Sequence, residues 1–126
     1  MDAGVLSLHF LSDPKVRRYF DEIDDQEKLG FMSAVNLSEF HYKTCQKLGK
    51  SVADIRYYQV RRTRLEIVET DEDLSRMAGL EKCRQRNLSL ADCHALAVAK
   101  RLGATLLTTD GELAKVREVR ALFFAP

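Results

Sequence analysis

Four acids, Asp2, Glu39, Asp92 and Asp110, occupy similar places in the local pattern of the chain. Each lies within about one turn of a helix start that the sequence predicts, and Glu39 and Asp110 follow directly from FMSAVN and TLLTT, short runs that suit buried strands. Taken singly, each has a local explanation. Ser89-Leu90-Ala91-Asp92 and Asn36-Leu37-Ser38-Glu39 have the capping-box form, and Asp2 and Asp110 can cap helices that begin just after them. Taken together they imply more. In an open parallel sheet the carboxyl ends of the strands share one edge, where ligands bind, so four separated acids would converge there. Crowded carboxylates repel unless a proton or cation intervenes. An all-oxygen set without His or Cys suits a hard divalent ion, Mg²⁺ or Mn²⁺, completed by water and phosphate. Such a site can activate water and stabilise the charge that develops in phosphodiester cleavage. The acids are therefore expected to be metal ligands as well as caps.

Alternating elements must bring them together. GVLSLHFL (4–11) reads as a short apolar helix, and Asp13-Pro14 opens a second, PKVRRYFDEI, with Pro at its first position. After Gly30 comes the FMSAVN strand. A helix follows from Asn36 to Leu48, stopped by Gly49, with an antiparallel neighbour from Ser51 to Arg62. LEIVET (65–70) alternates like a strand, and residues 71–87 open with acids and close with bases, as a helix dipole favours. Next come a helix from Ser89 to Leu102 with Gly103 as its stop, the strand TLLTT, a short helix ELAKVR and a terminal strand ALFFA. This order predicts a parallel sheet with helices on both faces, an α/β sandwich.

The totals are those of one domain spanning residues 1–126, with 45% hydrophobic and 31% charged residues. No apolar run is long enough to span a bilayer, and the N-terminus lacks the pattern of a secretory signal, so a cytoplasmic location is expected. The scattered Cys45, Cys83 and Cys93 contain no C-x-x-C pair and are expected as buried reduced thiols, and His41 and His94 are not expected as ligands. A net charge of +1 says nothing about nucleic acid, whose binders show a basic patch rather than a basic total. Arg56, Arg61, Arg62 and Arg64, then Lys82, Arg84 and Arg86, are weak candidates for RNA contact; solvated helix faces explain them as well.

The DAGVL start, NLSEF, and SLADCHALAVAK followed by GATLLTTDGEL resemble the PIN-domain ribonucleases, particularly the VapC-type toxins of toxin–antitoxin pairs. The resemblance spans almost the whole chain, and its most specific part is L-x-x-A-D-x-x-A-L-A-x-A with T-x-D. It implies a three-layer α/β/α sandwich and Mg²⁺- or Mn²⁺-dependent endonucleolytic cutting of RNA, leaving 5′-phosphate and 3′-hydroxyl ends. Asp2, Glu39, Asp92 and Asp110 match the family's four acids. Thr108 matches the hydroxyl residue that helps to organise its site. A homodimer and a VapB-type antitoxin whose tail blocks the acidic groove are implied too.

Two departures matter. The family's first acid ends an apolar strand, whereas only Met1 precedes Asp2 here; a sheet without that central strand leaves backbone groups unpaired on two neighbours, and Asp2 is then expected to be poorly fixed. Ala3-Gly4 stands where many members carry Ser or Thr. Asn36, where the family often has Thr, is expected to cap its helix equally well. The first of these departures favours a rival function, a non-catalytic PIN-like module that binds RNA or an antitoxin. A phosphotransfer domain of receiver or haloacid-dehalogenase type ranks lower, because the chain has no D-x-D-x-T element and no Lys ending a late strand.

Overall fold

The computed structural model describes residues 1–126. In chain order the elements are α1 (Ala3–Phe10), α2 (Pro14–Asp24), β1 (Phe31–Ser33), α3 (Ala34–Leu48), α4 (Lys50–Arg62), β2 (Glu66–Val68), α5 (Glu72–Arg84), α6 (Leu90–Leu102), β3 (Leu106–Thr108), α7 (Gly111–Ala114) and β4 (Ala121–Phe123). The order agrees with the sequence expectation, but the strands are shorter. FMSAVN yields a strand only as far as Ser33, because the Ser33 hydroxyl accepts the Asn36 N–H and starts α3 at Ala34. Asn36 is therefore not the cap. It lies in the first turn of α3, buried, and Glu39 falls in the second turn, clear of any capping duty.

The strands form two parallel pairs, β1 with β2 and β3 with β4. Successive strand residues serve opposite faces. Met32 enters the core built by α1, α2, α3 and α4, whereas Phe31 packs with Leu74, Ala97 and Val98 of α5 and α6. Leu107 and Leu106 divide in the same way, between the α1 side and the α6 side. Helices thus cover both faces, giving the expected α/β/α layering.

The pairs are not joined by a strand. Between them sits the two-residue stub Met1–Asp2: the Met1 ammonium donates to Phe31 O at 2.9 Å, and Asp2 N–H donates to Leu107 O at 3.0 Å. The spatial order is β4-β3-stub-β1-β2. Beyond Met1 the space between the pairs is a groove of about 350 Å³ lined by Ile23, Phe31, Val98, Leu106 and Leu107 among others. N–H and C=O groups of alternate residues point to opposite sides of a parallel strand. Because Gly30 C=O accepts Glu66 N–H and Leu106 N–H donates to Arg120 C=O, the N–H groups of Phe31 and Leu107 face the stub and groove.

The cysteine expectation holds only in part. Cys93 is buried on α6, Cys45 is half-buried and Cys83 is exposed, because the α5 position of Cys83 turns away from α6. No helix is long and apolar enough to cross a membrane.

Candidate active site

Asp2, Glu39, Asp92 and Asp110 line one polar pocket, together with Gly4, Tyr42, Lys43, Ser89, Thr109 and Gly111. They reach it from four different elements: the N-cap of α1, the second turn of α3, the first turn of α6 and the N-cap of α7. The pocket lies at the carboxyl ends of β1 and β3, since Ser33 and Thr108 end those strands and lead directly to α3 and to Asp110.

Asp2 is 4% exposed and firmly held. Its Oδ1 accepts Val5 N–H at 3.0 Å, capping α1, and its Oδ2 accepts the Thr108 hydroxyl at 2.5 Å and Thr109 N–H at 3.1 Å. The expectation that Asp2 would be poorly fixed is therefore overturned: bonds from the end of β3 replace the positioning that a preceding strand would supply. A carboxylate offers about four acceptor sites, so three donors leave room for one further cationic partner. Thr108, fully buried, also accepts Asp110 N–H at 2.9 Å and so couples the first and last acids through one hydroxyl.

Asp110 caps α7, its Oδ1 accepting the N–H groups of Glu112 and Leu113 at 2.8 and 3.2 Å. Asp92 departs from the capping box. Ser89 Oγ accepts Asp92 N–H at 3.0 Å, but the Asp92 carboxyl turns into the pocket towards Asp110. Burial, the shared hydrogen bond with Asp110 and the charge of Glu39 push its pKa up to about 6, opposed by the Ser89 hydroxyl. Glu39 pairs with Lys43 Nζ at 3.2 Å.

Two further residues, the buried Asn36 and the partly buried Gly4, hold this arrangement in roles other than those expected from the sequence. Asn36 Nδ2 donates to Ala91 O at 3.0 Å and its Oδ1 accepts the Ser33 hydroxyl, which ties the start of α3 to the residue before Asp92. Gly4 permits the close approach of α1 to β3: a Cβ there would stand 1.8 Å from Thr109 Oγ1. Lys43 could have been found from its i, i+4 offset to Glu39, a spacing that places both on one helix face. None of the arginines singled out in the sequence lines the pocket. Arg56 lies over the Phe10 ring at 5.3 Å, and Lys82 Nζ bonds Arg86 O at 3.0 Å.

No three His, Cys, Asp or Glu side chains are drawn together closely enough to hold one ion as they stand. The donor set nevertheless fits a hard divalent cation. Its candidate ligands are all oxygen, and burial, together with the neighbouring Asp110 and Glu39, raises the pKa of Asp92 above the usual carboxylate range, a strain that a cation would relieve.

A profile of the PIN domain matches residues 1–119, and the chain belongs to that family. Among solved structures it is similar to Mycobacterium tuberculosis VapC20, a sarcin-ricin loop cleaving toxin, at 20% identity and a TM-score of 0.67 over 94% of this chain and 96% of that one. It is also similar to VapBC2 from Rickettsia felis, solved with a DNA fragment from its promoter, at 17% identity and a TM-score of 0.68 over 96% and 94%. No curated protein sequence matches the chain.

Proposed function

We propose that this protein is a metal-dependent endoribonuclease, the toxin component of a toxin–antitoxin pair, working in the cytoplasm. The observation that carries the proposal is the meeting of four carboxylates from four elements in one pocket at the carboxyl ends of β1 and β3, where burial and the neighbouring acids raise the pKa of Asp92. A scaffold gains nothing from such repulsion, whereas a cation site does. Asp2, Glu39, Asp92 and Asp110 are the proposed ligands of Mg²⁺ or Mn²⁺, and Thr108 positions Asp2. A bound ion supplies neutralising charge and an activated water for in-line attack on a phosphodiester. The chain's own residues fix the acids: Thr108 aligns Asp2, the α7 backbone orients Asp110, and Asn36 fixes the first turn of α6 that carries Asp92. The names of VapC20 and VapBC2, proteins of this fold, support the toxin assignment and a VapB-type antitoxin as partner; a homodimeric toxin belongs to the same proposal.

A binding module without catalysis is the second possibility, favoured by one observation: Asp2 and Glu39 are already engaged by protein donors. Cleavage of a mixed RNA pool with and without Mn²⁺, by wild type and Asp92→Asn, separates the two. The nuclease predicts metal-dependent cutting that falls at least about a hundredfold in the variant, as loss of a charge-stabilising group does. It also predicts Mn²⁺-induced thermal stabilisation that the variant lacks. RNA bound but uncut, with equal Mn²⁺ response in both proteins, assigns the binding module.

A further inference from the structure

We infer that Lys43 is a positioning residue of this site, holding Glu39 while no ion is bound, then yielding Glu39 to the divalent cation and turning its ammonium to an RNA phosphate. The inference rests on the nuclease reading and concerns a residue that reading does not use. Lys43 is the only basic side chain among the 10 residues lining the acid pocket. It stands one turn beyond Glu39 on α3, with Nζ 3.2 Å from Oε1.

Two features make the contact exchangeable rather than structural. The Lys43 side chain is 56% exposed, so its long stem can swing without opening the core. A single ion pair whose lysine is this exposed is weak, and a divalent ion outcompetes it at the same oxygen. The substrate supplies the complementary need. A phosphodiester approaching four carboxylates is repelled, and a lysine at the rim is a mobile point charge suited to a phosphate oxygen.

The two roles predict effects of opposite sign, which a loss of structure cannot mimic. Calorimetric titration of Mn²⁺ into the full chain should show Lys43→Gln binding about two- to fivefold more tightly than wild type, the fold-change expected for removing a competing surface pair. Lys43→Arg, which keeps the charge, should stay close to wild type. In an Asp92→Asn background, which prevents cutting, Lys43→Gln should weaken binding of a single-stranded oligoribonucleotide. It should also reduce the slope of log affinity against log salt by about 0.7, one phosphate contact. Unchanged or weaker Mn²⁺ binding overturns the competition, and an unchanged salt slope overturns the phosphate contact. If wild type binds no Mn²⁺ but Lys43→Gln does, the competition is upheld in a stronger form. If neither binds, the nuclease reading falls and this inference falls with it.

Discussion

The stub Met1–Asp2 has two ends that differ in everything but position. At the Asp2 end, hydrogen bonds from α1, β3 and the residue after β3 converge on one buried carboxylate. At the Met1 end, a single ammonium reaches Phe31 O and the space beyond is an apolar groove into which backbone N–H groups point. Two residues suffice to bridge the sheet pairs where side chains provide the bonds, and do not suffice where only backbone could. The acid site is therefore more fully hydrogen-bonded than the groove beside it.

The strongest way to break this contrast is to remove the hydroxyl on which the ordered end depends. Thr108→Val keeps shape and β-branching but leaves a buried carboxylate short of a donor and Asp110 N–H without its acceptor. Hydrogen bonds to charged groups contribute roughly 1.5–3 kcal/mol, and a loss of about that size is expected in urea denaturation. A cost under about 0.5 kcal/mol would mean that water serves Asp2 as well as Thr108 does. The reciprocal change acts on the open end. Joining three extended apolar residues ahead of Met1 should place a strand in the groove, pair the N–H groups of Phe31 and Leu107 and replace the desolvated ammonium by an amide. About 2 kcal/mol is expected from two backbone bonds alone, or a Tm higher by roughly 5–10 °C. Slowed amide exchange at Phe31 and Leu107 should accompany it, and a Tm that stays put would show that the groove does not accept a strand.

How far the sequence foretold each end follows from the range of the interactions. The four acids and the order of helices and strands were legible, because caps, periodicity and Gly or Pro stops are local signals; Gly103 does adopt the left-handed conformation that ends α6. The start of α3 was misplaced, because both Ser33 and Asn36 are good caps and only the buried bond from Asn36 to Ala91 decides between them. Thr108 was expected to help organise the site, but its bond to Asp2 was not legible for the same reason: the two are 106 positions apart and meet only across the sheet. Cys83, an ordinary helix position in sequence, is exposed because α5 covers α6 with its other side.

The smallest expected effect separates the two ends by pH. Asp92, in the acid pocket, has its pKa raised from 3.8 to about 6, so the stability it contributes is complete below about pH 4 and lost as pH rises through 6. The Met1 ammonium, desolvated by burial and only partly supported by Asp2, is lowered from 8.0 to about 6; its contribution is complete above pH 8 and lost as pH falls through 6. In the metal-free chain these two contributions produce a dip in stability near pH 6. His9, also lowered from 6.5 by burial, contributes a rise that is complete by about pH 6.5 and so partly offsets the fall on the acid side. Differences between proteins isolate each group. Asp92→Asn should abolish the fall between pH 4 and 6, and Nα-acetylation, which removes the charge but keeps an N–H for Phe31 O, should abolish most of the rise between pH 6 and 8. Tm measured across that range for the three proteins tests both, with shifts of about a few degrees. If acetylation leaves the alkaline limb untouched, the Met1 end is wetter than the groove implies, and the contrast between the two ends is one of geometry without the difference in solvation.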